Sequence, residues 1–128
     1  MSDDNPRYQW HKHGAEAIRW LQEFLNSGAG LSALVLEEGR QLRLSAYREI
    51  EGAGEVRNYN HKAHVSLLGA EILRMDLDGE TFGTISSAEF EEGNRMKLEL
   101  SLAAGGFSIE FDALQVSEQL VPVYEMKR

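Results

Sequence analysis

The sequence predicts an α+β domain, with one N-terminal amphipathic helix packed on a mostly antiparallel, meander-type β-sheet of about six to eight strands. Two patterns carry that expectation. A single apolar stripe of helical period lies near the N-terminus, and period-two alternation broken by short turn signals runs through most of the chain beyond it. Length bounds it: 128 residues are enough to bury a core as one domain, with residues 10–128 forming the domain. Residues 1–9, which contain Asn5-Pro6 and show no periodicity, read as a flexible leader.

The helix is expected from His13 to Asn26. Ala17, Ile18, Leu21, Phe24 and Leu25 fall on one face, while Glu16, Arg19, Gln22, Glu23 and Asn26 fall opposite. Ser27-Gly28-Ala29-Gly30 ends it, because glycine takes the left-handed conformation that closes a helix. Trp20 sits at the edge of the stripe, four residues before Phe24, as a lid on the core.

Turn chemistry then sets strand registers. Asp78-Gly79 is a favoured two-residue hairpin turn, which places Met75 opposite Phe82 and Leu73 opposite Thr84. A three-residue loop at Glu92-Gly93-Asn94 places Phe90 opposite Met96, Ala88 opposite Leu98 and Ser86 opposite Leu100. A turn at Ala104-Gly105 places Leu102 opposite Phe107, Leu100 opposite Ile109 and Leu98 opposite Phe111. Together these put Leu73, Met75, Phe82, Ala88, Phe90, Met96, Leu98, Leu100, Leu102, Phe107, Ile109 and Phe111 on one face. The other face pairs Glu91 with Arg95 and Glu89 with Lys97, and sets Glu99 against Glu110, a like-charge pair.

Upstream, Ala33–Ser45 forms a hairpin around Glu37-Glu38-Gly39 that pairs Leu36 with Leu42 and Leu34 with Leu44, leaving Leu31, Ala33, Val35 and Tyr47 on the other side. Its likeness to Ala88–Ser101 follows from shared turn chemistry. Residues 49–61 read as a mobile loop around a weak strand at Val56–Tyr59. His64–Leu68 is a strand, and the slip in alternation after Phe111, towards Leu114 and Val116, reads as a bulge.

Composition narrows function by exclusion. There is no cysteine, so disulfides, thiolate catalysis and thiolate zinc sites are excluded, and a reducing, cytoplasmic setting is expected. No apolar run reaches the ~18 residues of a membrane span, and the polar, acidic start lacks a signal-peptide pattern. Net charge is −8; residues 65–128 hold twelve acids and five bases. Such a surface repels nucleic acid and anionic membrane, so the expected partner is another protein with a basic surface.

Motifs for catalysis are sparse. No phosphate-binding glycine loop, dinucleotide fingerprint or G-x-S-x-G elbow is present, and Asp76-Leu-Asp-Gly-Glu80 lacks the spacing of a calcium loop. The histidines come in two close pairs, His11 with His13 and His61 with His64, which as neutral imidazoles would suit zinc, nickel or copper if both pairs met. His64-Val65-Ser66 has the H-x-S form used in pairs for phosphodiester chemistry, but no second copy exists.

The leading expectation is therefore a non-enzymatic protein-binding module of inhibitor, immunity or chaperone type, with no cofactor. Its binding residues are Glu91, Glu92, Glu99, Glu110 and Asp112 as an electrostatic patch, with Tyr47 and Tyr59 as aromatic anchors. The alternative is a metal- or histidine-dependent hydrolase using the paired histidines.

Overall fold

The structure, a computed structural model, describes residues 9–78, 82–103 and 105–124, with side chains from residue 14 onward. It holds one short helix and two antiparallel sheets, an α+β architecture in which strands predominate. The chain runs β1 (Gln9–His13), α1 (Gly14–Leu25), β2 (Gly30–Glu37), β3 (Gln41–Glu51), β4 (Val56–Leu68) and β5 (Glu71–Leu77). It continues through β6 (Ile85–Glu91), β7 (Met96–Leu102), β8 (Gly105–Phe111) and β9 (Ala113–Tyr124). The first sheet has the order β1-β9-β4-β3-β2 and the second β5-β8-β7-β6, so the single meander expected from turn chemistry is replaced by two sheets sharing one core. Of the expected leader, Gln9 pairs with Gln119 as the start of β1, and residues 1–8 lie outside the described residues.

One two-stranded ribbon runs through both sheets. β4 pairs with β9 down to Leu68 opposite Ala113, and β5 pairs with β8 from Glu71 opposite Glu110, with the register unchanged across the gap. The bend falls at Gly69-Ala70 on one strand and Asp112 on the other, and the Asp112 N–H donates to the Leu68 carbonyl at 2.8 Å. Gly69 has φ +66°, which favours glycine, and a Cβ there would displace the Asp112 carboxylate from its place at the corner. Arg95, entering β7, closes the corner. Its Nη2 donates to the Gly69 carbonyl, its Nε donates to Asp112 Oδ1 at 3.0 Å, and Nη1 lies 3.5 Å from Glu71 Oε2.

This ribbon explains the first departure from expectation. β5 does not fold back on β6; its partner is β8, and β6 lies at the opposite edge of the second sheet. Asp78-Gly79 has the local chemistry of a hairpin, but pairing inherited from β4 and β9 prevails over it. Residues 79–81 lie outside the described residues. In consequence Leu73 and Met75, expected in the core, are exposed.

The second departure is a slide of two residues on each side of β7. Phe90 faces Leu98, where Met96 was expected, and Leu98 faces Ile109, where Phe111 was expected. Arg95 is drawn out of the ladder to the corner, so Glu91 pairs with Lys97. A two-residue slide preserves the face of every side chain, which is why Ala88, Leu98, Leu100, Leu102, Phe107, Ile109 and Phe111 are all buried as expected. They pack with Leu42, Leu44, Val65, Leu67, Leu114 and Val116 of the first sheet.

The β2–β3 hairpin has the expected register, with Leu36 opposite Leu42 and Leu34 opposite Leu44. A bulge between Leu31 and Ala33 turns Leu31 into the core, 4% exposed. The segment read as a mobile loop is strand on both sides: β3 extends to Glu51 and β4 starts at Val56, the two pair with each other, and β4 pairs in turn with the end of β9. The slip after Phe111 is the passage from the second sheet to the first, and the chain from Ser117 is strand to Tyr124.

Helix α1 spans Gly14–Leu25, within a residue of its expected limits, and buries Ala17, Leu21, Phe24 and Leu25. It touches β9, β6 and β1. Two polar side chains of the helix end stand in for a strand on the outer edge of β6. Asn26 accepts from the Ala88 N–H at 3.0 Å and donates to the Ala88 carbonyl at 2.9 Å, and Gln22 Oε1 accepts from the Phe90 N–H at 3.4 Å. This satisfies main-chain groups that an edge strand would otherwise present to another chain.

Candidate functional site

Two rows of polar side chains interrupt the apolar pattern, one inside the molecule and one on the acidic face of the second sheet. The inner row starts from strand parity. On β4, His61 shares its face with the buried Ala63, Val65 and Leu67. It is a histidine at a core position, 5% exposed, and needs partners there. Arg48 stands opposite it on β3, and Glu118 lies on β9, opposite Ala63. The Arg48 Nε–H donates to His61 Nδ1 at 3.0 Å, and His61 Nε2 lies 2.5 Å from Glu118 Oε2.

Those contacts fix the tautomer. A guanidinium has no acceptor, so His61 Nδ1 must accept; the ring then carries its proton on Nε2 and donates it to Glu118. A protonated ring would set an N–H against the Arg48 Nε–H. His61 is therefore a neutral bridge between a cation and an anion, and the short His61–Glu118 contact is a charge-assisted hydrogen bond to a carboxylate. Helix α1 covers the bridge with aromatic rings. Phe24 meets His61 edge-on at 4.9 Å between centroids, Trp20 stacks on Phe24 at 5.1 Å, and the Arg48 guanidinium sits over Phe24 at 5.0 Å.

The histidines expected to converge on a metal do not do so from β4. His61 and His64 are three residues apart on a strand and face opposite ways, so one ion cannot take both. His64 Nδ1 pairs instead with Ser45 Oγ at 3.1 Å, and its Nε2 with Gln119 Oε1 at 3.3 Å. His11 and His13 stand opposite Ser117 and Gln115 on β9, and their side chains lie outside the described residues. Among the described residues no group of three or more histidines and acids is placed to hold a metal ion.

The acidic patch is brought together in part and compensated internally. Glu91, Glu99 and Glu110 lie on the outward face of the second sheet, Glu92 follows β6, and Asp112 is at the corner. The repulsion expected between Glu99 and Glu110 is absent, because the register slide sets Glu99 opposite Ser108 and Glu110 opposite Lys97. Lys97 Nζ lies 3.2 Å from Glu99 and 3.9 Å from Glu91, while Arg95 serves Asp112 and, at 3.9 Å, Glu110. Like-charge pairs fall elsewhere, at Glu89 opposite Glu99 and at Glu71 opposite Glu110. Tyr47 is exposed on β3 of the first sheet, its ring over Gly30, while half-buried Tyr59 on β4 has the opposite strand parity. The two anchors and the acids do not form one surface.

The bridge across His61 left one signal in the sequence, a histidine in step with Ala63, Val65 and Leu67. Its partners are 13 and 57 residues away, beyond local pattern. No described helix is long and apolar enough to cross a membrane. Comparison of the chain with protein-family models, curated proteins and solved structures gave no match.

Two measurements check this electrostatic picture. In ¹⁵N spectra at neutral pH, His61 should show an unprotonated Nδ1 and a protonated Nε2; two equivalent, protonated nitrogens would contradict the bridge. For Glu99, the hydrogen bond from Lys97, then its charge and the Ser108 hydroxyl, hold the carboxyl below its ordinary 4.5. A lowered value means that this interaction contributes stability above the unfolded-state value and loses it as pH falls through the folded-state value. Carboxyl titration by NMR should find Glu99 lowered in the native protein and raised back by Lys97→Met; an unmoved Glu99 would remove Lys97 as the cause.

Proposed function

We propose that this chain is a non-enzymatic protein-binding module of inhibitor, immunity or chaperone type, acting by occupying a partner's surface through the free edge of β5. The observation that carries the reading is the contrast between the two edges of the second sheet. The β6 edge is covered by Asn26 and Gln22, whereas among the described residues β5 pairs only with β8. The edge is free because β3, which flanks β4, begins at Gln41 opposite Leu68 and stops short of the bend. Beyond it the Ala70 N–H donates to the Arg40 carbonyl at 2.6 Å, and Arg40 Nη2 lies 3.5 Å from Glu71 Oε2 at the start of β5.

An uncovered edge offers main-chain donors and acceptors to an added strand, and alternate side chains set specificity. On β5 those side chains are Leu73 and Met75, 47% and 44% exposed. Glu71, Asp76 and Asp78 are exposed alongside, against one base, Arg74. An extended segment with small apolar residues flanked by lysine or arginine is the complementary partner. The outward acids of the second sheet contribute steering, their close charges being met by Lys97 and Arg95.

A photocrosslinking residue at Leu73 should label a partner from cells of the source, and labelling should fall about tenfold at low salt when Asp76→Lys and Asp78→Lys are combined. Equal labelling from a probe at exposed Arg19 on α1, or labelling indifferent to the two lysines, would overturn the β5 assignment.

A further inference from the structure

β2 begins at Gly30, opposite Tyr47, so among the described residues β3 from Arg48 to Glu51 has β4 on one side and no strand on the other. The chain before Gly30 comes off the end of α1 and leaves an open cleft of about 450 Å³ where β2 would have continued. Ser27, Gly28, Tyr47, Arg48, Ile50 and Thr84 line it. We infer that this cleft is a binding site for the oxyanion end of a small molecule, a carboxylate or a phosphate, held by Arg48.

Arg48 differs from an ordinary surface arginine in being fixed before any ligand arrives. Its Nε–H is committed to His61 Nδ1, and its guanidinium lies over the Phe24 ring. Glu118 holds the His61 tautomer that makes the first contact possible. The fork therefore loses little conformational entropy on binding, which is the usual cost of recruiting an arginine. Its Nη atoms have no hydrogen-bond or ion-pair partner among the described residues, and arginine's paired N–H groups match two oxygens of a carboxylate or phosphate.

The rest of the lining completes the chemistry. The hydroxyls of Tyr47 and Thr84 also lack partners among the described residues and can donate, and the unpaired edge of β3 adds main-chain groups. Ser27 Oγ already donates to the Phe24 carbonyl at 2.5 Å and contributes no donor. Ile50, 37% exposed, and the Tyr47 ring give an apolar wall for the body of the molecule. Glu49 is also at the rim, and the carbonyl end of α1 is near; both disfavour a multiply charged ligand. A single carboxylate is thus preferred over a phosphate dianion. This site uses the first sheet and stands apart from the β5 edge.

The test is a titration of the full chain, followed by amide and arginine side-chain NMR, with N-acetylglycine and with inorganic phosphate, each against sodium chloride at matched ionic strength. Saturable shifts should centre on Gly28, Gly30, Arg48, Ile50 and Thr84, with N-acetylglycine the tighter ligand; tighter phosphate binding at the same residues would keep the site and assign it to phosphate. Arg48→Gln should weaken binding by at least about tenfold and Thr84→Val by a few-fold. If Arg48→Gln does not fold, Arg48→Lys, which keeps the charge but loses the fork, and Thr84→Val should still weaken binding. Absence of saturable shifts with either anion, or shifts undiminished in the folded variants, would overturn the inference.

Discussion

The architecture depends on one bend in one ribbon. β4 and β9 pass into β5 and β8 without a change of register, so a single antiparallel pair supplies the backbone of both sheets. Such a bend exposes main-chain groups and brings two strands into close approach, and both problems are solved by Gly69 and Arg95. Glycine takes the positive φ and makes room for Asp112; the guanidinium satisfies the Gly69 carbonyl and the Asp112 carboxylate together. Drawing Arg95 to the corner also sets how β6 meets β7, since Lys97 then becomes the partner of Glu91. One side chain thereby couples the crossing of the sheets to the register of the second one.

The same bend distributes the edges. On the first sheet, β3 and β1 flank the ribbon; past the corner β3 has ended, and among the described residues β5 pairs only with β8. The opposite edge, β6, is covered by the amides of Asn26 and Gln22. Under the same helix lies the neutral His61 bridge, which joins β3, β4 and β9 through polar contacts where the apolar core gives out. A buried network of this kind contributes specificity of arrangement as well as energy, because a charge left without its partner there would cost about 3–5 kcal/mol. The helix, the bridge and the cleft beside Arg48 are thus parts of one local design, in which aromatic cover from Phe24 and Trp20 holds polar groups in fixed orientations.

Much of this was legible, and the rest was not for physical reasons. The stripe from Ala17 to Leu25 gave the helix, because helical period is a local property. The β2–β3 register followed from its turn. For β6, β7 and β8 the buried set was right while the register was off by two, since alternation reports the face of a residue and not its partner. The β5–β6 pairing failed because a favourable turn at Asp78-Gly79 carries less free energy than a continuous ribbon set by residues far away in sequence. Among the site residues, the acids at Glu91, Glu99 and Glu110 were placed on one outward face, but their compensation by Lys97 and Arg95 depended on the corner. His61 stands out in the sequence for its spacing to His64, although what distinguishes it is its parity with Val65, pointing it inward to Arg48 and Glu118.

The most direct measurement is the urea unfolding of Arg95→Ala beside Arg43→Ala. Arg43 makes a single exposed ion pair with Glu37, at 3.1 Å, whereas Arg95 holds the bend. Arg95→Ala should lose more than about 2 kcal/mol and Arg43→Ala less than about 0.5 kcal/mol. Equal, small losses for both would contradict the claim that the corner at Gly69 and Asp112 organises the two sheets.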